Sequence, residues 1–289
     1  VDSNYQIMEV LGNMSEKDFR MHGQIPPTRV TSTYQYRLEY EHAPVFICGR
    51  YNKYVRNLSQ TPWSLNDEPV TLDCVEQFIS KPIKDRSTNF VSSGREDIDV
   101  RMLGEGRPFF LEITNPHKIL LTYDDFRKIE ETINSNADIR VSRLQFITKK
   151  QTSVLKDGET SKQKVYRCVV WTAKDMTEEY LHNVLDKVNN MELKQNTPVR
   201  VLHRRSLAER KKTIAKLAVK CIAPHFILLD VWASAGTYIK EFVHGDLGRT
   251  TPSLGSLLQT EADITQLDVL EIEMNFPPVP VNSTKPTQR

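Results

Sequence analysis

The sequence predicts an α+β protein built around a mainly antiparallel sheet. Three observations carry that expectation. Short stretches alternating apolar with polar residues recur along the chain, they outnumber the stretches with helical spacing, and most of the links between them are short enough for hairpins. With 289 residues there is enough chain to bury a substantial core, and no internal repeat is visible.

Residues 1–33 show no convincing period, and Pro26-Pro27 marks a break, so this stretch is expected to be a linker or the tail of a preceding accessory domain. Residues 34–40 (YQYRLEY) alternate as a half-buried strand does, 44–48 (PVFIC) supply a second strand, and 75–79 closes a short helix. Residues 94–113, GREDIDVRMLGEGRPFFLEI, read as strand, turn and strand, with Gly104 and Gly106 permitting the reversal. A helix is expected over 123–133. Strands over 139–148 and 164–172 flank the polar, Gly158-containing segment 149–163, which suggests a long exposed hairpin. Thr177 caps a helix whose Leu181, Val184, Leu185 and Val188 fall on one face. Residues 217–229 and 238–243 suit strand or helix, 271–276 ends the regular structure, and a Pro-rich flexible tail follows at 277–289.

Net charge is only +2, from 39 basic and 37 acidic residues, so binding to a polyanion depends on where the basic residues lie. Two stretches concentrate them. GRYNKYVRNLSQTPW (49–63) interleaves Arg50, Lys53 and Arg56 with Tyr51, Tyr54 and Trp63, which suits phosphates and stacked bases as well as it suits a solvated face with snorkelling stems. Residues 198–220 set eight basic side chains, Arg200, Arg204, Arg205, Arg210, Lys211, Lys212, Lys216 and Lys220, against Glu209 alone. An amphipathic helix burying Leu207, Ile214, Leu217 and Ala218 explains this run, and so does RNA contact.

Cys48, Cys74, Cys168 and Cys221 stand singly, without the spacing of a zinc or iron-sulfur site, and His203 and His244 lack ligand partners at useful spacing. No metal is expected. The cysteines read as reduced and structural. No charged and apolar leader opens the chain, and the most apolar stretch, 221–232, is broken by Pro224, His225 and Asp230. A soluble protein of nucleus and/or cytoplasm is the expectation.

One segment resists a bland reading. Residues 94–101, GREDIDVR, pack acids and bases behind a single glycine while alternating like a strand. Any aspartate drawn inward there needs a cationic partner.

Together with GTYIKEFVHGDLGRTTPSLGSL (236–257), this segment resembles the pseudouridine synthases, most closely the archaeal and eukaryotic tRNA enzymes called the tenth family. Gly94, Arg95, Asp97 and Val100 match the catalytic motif of the TruA branch in register, with Glu96, Asp99 and Arg101 replacing its threonine, second glycine and histidine. Val165-Tyr166 looks like the pair in which such enzymes place an active-site tyrosine. Gly236-Thr237-Tyr238-Ile239-Lys240 is similar to the Gly-Thr-Tyr-Ile-Arg segment of the TruB branch, with lysine for arginine, and its continuation to Leu267 to the lining of the uracil pocket. Residues 49–63 and 197–205 also look like the tenth family, so the likeness spans roughly 34–270.

The resemblance implies the pseudouridine synthase catalytic fold over 34–276, without that family's accessory RNA-binding domain and its zinc. It implies a tRNA substrate, a uridine at position 54 and/or 55 of the T loop, flipped out of its stack, and no cofactor. Asp97 would be the essential carboxylate, Lys240 its cation, assisted by Arg95 or Arg101, and Tyr166 the residue that stacks on uracil and takes the C5 proton. Ile239 and Leu267 would form apolar walls, and Arg50, Lys53, Arg56, Arg200, Arg204, Arg205 and Arg210 would meet phosphates. A monomer without membrane attachment is expected. Two rivals stay open: a non-catalytic tRNA- or RNA-binding module derived from such an enzyme, and a glycosidase-like hydrolase pairing Asp97 with Glu112.

Overall fold

The computed structural model describes residues 4–24, 26, 28–29, 31–32, 36–65, 68–71, 73–83 and 88–280. The chain divides into two units, Val1–Glu41 and His42–Arg289. Within the first lie two helices, α1 (Asn4–Asn13) and α2 (Glu16–His22), where the sequence shows no convincing period. Ser15 caps α2: its hydroxyl accepts the Asp18 N–H, while the Asp18 carboxylate accepts the N–H of Ser15, each at 3.2 Å. That Ser-x-x-Asp capping box is a local helix signal independent of hydrophobic period. Residues 36–40, expected in a strand, have no regular structure, and positions 34–35 lie outside the described residues.

In the second unit the chain runs β1 (Val45–Lys53), β2 (Trp63–Leu65), β3 (Glu68–Thr71), α3 (Val75–Ser80), β4 (Thr88–Ser92), β5 (Arg101–Ile113), α4 (Tyr123–Asn134), β6 (Ile139–Ile147), α5 (Lys149–Ser161), β7 (Lys164–Thr172) and α6 (Glu178–Leu185). It continues through β8 (Asn189–Asn196), β9 (Glu209–Ala223), β10 (Phe226–Ala233), α7 (Ile239–His244), β11 (Thr250–Thr251), α8 (Leu254–Leu258) and β12 (Ala262–Ile272). Ten strands form one sheet in the order β11-β8-β9-β10-β7-β12-β5-β1-β6, with β4 also paired to β5, while β2 and β3 pair separately. The α+β class is as expected.

Nearly all neighbours in this sheet are antiparallel. The exception decides where the site sits: β12 runs parallel to β5 through only two residue pairs, Asp268 with Arg101 and Val269 with Met102. β1 follows one edge of β5, while the other edge is shared, β12 taking its first two residues and β4 its last five, Phe109 to Ile113. Residues 93–100 fill the notch left between β4 and β12. Burial on both faces explains the apolar run of β1, in which every residue after Val45 is buried.

Several expected elements change form. β6 and β7 exist but do not pair; β6 pairs β1, and β7 lies between β10 and β12. The link between them is α5, opened by Thr148, whose hydroxyl accepts the Gln151 N–H at 3.2 Å, and anchored by buried Leu155. Gly104 and Gly106 do not reverse the chain. They sit within a continuous β5 at φ 58° and 79°, and a Cβ on Gly104 would lie 2.0 Å from the Leu270 carbonyl oxygen. From Glu209 onward the basic run is no helix but the long strand β9, while Arg200 lies on a 3-10 turn and Arg204 and Arg205 in the turn after it. A register shift against β10 between Ala233 and Trp232 places buried Ile214 and Leu217 three residues apart, which imitates helical spacing.

Candidate active site

GREDIDVR is a loop that leads into β5, and its charges divide between the interior and a cleft. Gly94 begins it at φ 85°, a left-handed backbone that favours glycine, with the Lys164 ammonium 2.9 Å and the Arg107 guanidinium 3.2 Å from where a Cβ would lie. Glu96 turns inward with its side chain fully shielded. Arg107 Nε reaches it at 2.7 Å and the Tyr51 hydroxyl donates to it at 2.8 Å. Arg107 also holds the Ser93 carbonyl at 2.6 Å. Burial works against the Arg107 charge, but Glu96 more than restores it, and the guanidinium's pKa stays above its ordinary value. The buried Gln60 amide donates to the Tyr51 hydroxyl at 2.6 Å and to the Gly94 carbonyl at 3.2 Å.

The outer half of the loop is pinned through its carbonyls. Lys53, fully buried, donates to Leu58 O at 2.8 Å, Asp97 O at 3.2 Å and Ile98 O at 3.3 Å, while Arg56 holds Asp99 O at 2.6 Å. With its backbone fixed on both sides, the loop presents the Asp97 side chain, one third exposed, to a cavity of about 450 Å³.

Two cations meet that carboxylate. Arg200 NH1 stands 2.9 Å from Asp97 Oδ2, and Lys240 Nζ stands 3.4 Å from the same oxygen. Lys240 bonds Asp99 more closely, at 2.8 and 2.9 Å; burial raises the Asp99 pKa, but Lys240 outweighs it and the group lies below the usual carboxylate range. Arg200 is itself anchored. Its Nε donates at 2.6 Å to Glu241, whose side chain is almost wholly buried, and this pairing keeps the guanidinium above its ordinary pKa despite burial. Arg200 sits on a 3-10 turn after Pro198, and Lys240 in the first turn of α7. The start of α7 is fixed by Gln195, whose amide bonds the backbone N–H and carbonyl of Tyr238, both at 3.0 Å.

Tyr166, on β7, is paired with Val231 on one side and Val269 on the other. With Leu267 and Val269, two apart on β12, and with Ile239, it forms the apolar part of the cavity wall. Burial pushes its phenol up to about 12, although Arg107 pulls the other way, so it stays protonated near neutrality. Basic side chains dominate the rest of the lining: Arg95, Arg107, Lys164, Arg200, Arg204, Arg205, Arg210, Lys212 and Lys240 against Glu96 and Asp97.

The cavity therefore gathers Asp97, Tyr166, Lys240, Arg95, Ile239, Leu267, Arg200, Arg204, Arg205 and Arg210 from the sequence reading. Other expectations need correction. Arg50 is 2% exposed and spends its guanidinium on the carbonyls of Glu105, Gly106, Met274 and Phe276; burial brings it down to about 10, and it is out of reach of a phosphate. Lys53 is equally enclosed. Arg56 is tied to Leu267 O at 2.8 Å and to Asp268 at 2.7 Å. Arg101 turns to Asp268, at 2.9 and 2.5 Å, instead of to Asp97, and does not line the cavity. Arg200, expected on a phosphate, is the cation nearest Asp97. The Trp63 side chain lies outside the described residues, and Glu112, the second acid of a hydrolase pair, does not line the cavity.

One carboxylate gripped by two cations, in a mostly basic cleft with an apolar wall, is chemically suited to an anionic ligand bearing a flat ring. Residues 46–273 match the family described as Pus10, C-terminal. Relatives named tRNA pseudouridine synthase Pus10 include that of Xenopus laevis, 41% identical over 277 residues covering 94% of this chain and 54% of the relative. That of Mus musculus is 42% identical over 280 residues, covering 94% and 53%. That of Thermofilum pendens is 39% identical over 243 residues, covering 82% and 54%. The chain belongs to the Pus10 family and carries its C-terminal part. It spans about half the length of the curated relatives it matches.

Proposed function

We propose that the cleft isomerises uridine to pseudouridine in the T loop of tRNA, at position 54 and/or 55, with Asp97 as the essential carboxylate. The observation that carries this reading is the placement of Asp97: accessible from a cavity of about 450 Å³, yet held by Arg200 at 2.9 Å and Lys240 at 3.4 Å. Both cations stand within reach of the carboxylate that would attack the base or ribose, or remove the C2' proton. In the net reaction the C1'–N1 bond breaks, a C1'–C5 bond forms, and the proton lost from C5 is matched by one gained at N1. Neither oxidant nor external energy is called for, and no cofactor or second subunit enters the scheme.

Tyr166 and Leu267 supply the faces between which a detached uracil turns without leaving. A phenol pushed up to about 12 offers stacking and a hydrogen bond; it is a poor acceptor for the C5 proton. Extrusion of the uridine costs roughly a few kcal/mol, offset by phosphate contacts for which exposed Arg204 and Arg205 at the rim are suited.

Incubation with an unmodified tRNA transcript, at protein concentrations above the dissociation constant, tests this reading against its rivals. Pseudouridine from the parent chain and none from Asp97→Asn is the expected result. Binding without product from either identifies a non-catalytic RNA-binding module, and release of free uracil identifies a hydrolase.

A further inference from the structure

At the far end of α7 from Lys240, Leu247 is 95% exposed, more than any other large apolar side chain among the described residues. Its backbone is also unfavourable. Asp246 and Leu247 lie consecutively in the left-handed region, at φ 46° and 57°, which a leucine adopts at a cost that glycine avoids. The surroundings enforce this. The Asp246 N–H donates to His244 Nδ1 at 3.0 Å, Gly248 and Thr250 N–H both donate to the Gly245 carbonyl, and the Asp246 carboxylate accepts the Val199 N–H at 3.3 Å. A constrained loop thus spends strain to hold an apolar side chain in water, where it gains nothing in the free protein.

The location is informative. Through Asp246 the loop that carries Leu247 is bonded to Val199, the first residue of a 199–205 lip from which Arg200, Val201, Arg204 and Arg205 line the cavity. Val199 and Leu202 in that lip are themselves 50% and 40% exposed, and Arg204 and Arg205 line the opening. Lys240 and His244 lie four residues apart on α7, about 6 Å along its axis, and Leu247 follows three residues later in the loop. Cationic side chains next to an exposed apolar tip fit a nucleic-acid strand, with phosphates on the arginines and a base face on the leucine.

We propose that Leu247 is an apolar wedge for the RNA: it inserts against the base adjoining the extruded nucleotide and keeps the stack from reclosing. The proposal rests on the reading that the cleft accepts a flipped uridine. Wedge insertion is separable from chemistry, and the test uses that.

An unmodified tRNA transcript carrying 2-aminopurine beside the target uridine reports unstacking by its fluorescence. Titrated with Asp97→Asn, which binds without turnover, it is expected to brighten, and Leu247→Ala in the same background is expected to remove most of the rise while weakening binding by less than about tenfold. With Asp97 intact, Leu247→Ala should slow single-turnover conversion by about tenfold or more, Leu247→Met should restore it, and a transcript with the target uridine already bulged out should convert at the parental rate. Unchanged melting of Leu247→Ala is the control for folding. Equal brightening and equal rates with and without Leu247 overturn the wedge and leave the synthase reading intact. Leu247-dependent brightening in a chain that forms no pseudouridine supports the wedge and overturns the synthase reading.

Discussion

Glu96 and Asp97 are consecutive carboxylates on one loop with different surroundings. Glu96 faces inward, fully shielded, bonded by Arg107 at 2.7 Å and by the Tyr51 hydroxyl at 2.8 Å. Asp97 faces the cleft, one third exposed, between Arg200 at 2.9 Å and Lys240 at 3.4 Å. Both have cationic partners, so pairing alone does not mark a reactive group. What differs is access: Glu96 has its acceptor positions occupied by the protein and ties the loop to β5, whereas Asp97 keeps a face open to a ligand and is held at a fixed angle by what Glu96 anchors. The interior pair stabilises the geometry in which the outer pair works.

The sharpest way to break this division is Asp97→Asn. Pseudouridine formation at saturating protein should fall by about a thousandfold or more, on the order of 4 kcal/mol of barrier, with stability changed by less than about 1 kcal/mol. Glu96→Gln should do the reverse. Removing one charge of a buried pair leaves Arg107 uncompensated, and denaturant unfolding should show a loss of about 3–5 kcal/mol while the folded fraction keeps most of its rate. Arg200→Lys comes next: an ammonium cannot bridge Asp97 and Glu241 as the guanidinium fork does, and misplacement of Asp97 should cost about 10- to 100-fold in single-turnover rate with little change in tRNA binding. Tyr166→Phe, which retains the stacking face, should stay within about tenfold of the parent.

Acid pH gives the smallest expected effect. Burial raises the Asp268 pKa, but Arg101 and Arg56 outweigh it and hold the carboxyl below its ordinary value. The unfolded chain therefore binds that proton more readily, so the pair's stabilisation is complete above the unfolded value of about 4 and is lost as pH falls through the lower folded value. Unfolding free energies of parent and Asp268→Asn should differ at pH 7 and converge below about pH 4.

The same division explains what the sequence disclosed. Asp97, Tyr166 and Lys240 sit in short contiguous motifs, and each lines the cavity. The cation closest to Asp97 is 103 residues away in the chain, and nothing local distinguishes Arg200 from Arg204 and Arg205 beside it. Arg50 and Lys53 look like phosphate ligands because charge among aromatics usually stays in solvent; long-range contacts with 274–276 and 97–98 bury them instead. Glu96–Arg107 was hidden because its partner lies across the notch between β4 and β12, a feature of strand order. The antiparallel core was legible from alternation. β9 was not, because one register shift gave a strand the apolar spacing of a helix.

Parallel single-turnover and unfolding measurements on Asp97→Asn and Glu96→Gln, with one unmodified tRNA transcript and protein in excess, probe the division most directly. The prediction is a crossed pattern: Asp97→Asn folds like the parent and forms no measurable pseudouridine, while Glu96→Gln is markedly less stable yet converts the uridine when folded. Conversion by Asp97→Asn within about tenfold of the parent would show that this carboxylate is not the reagent.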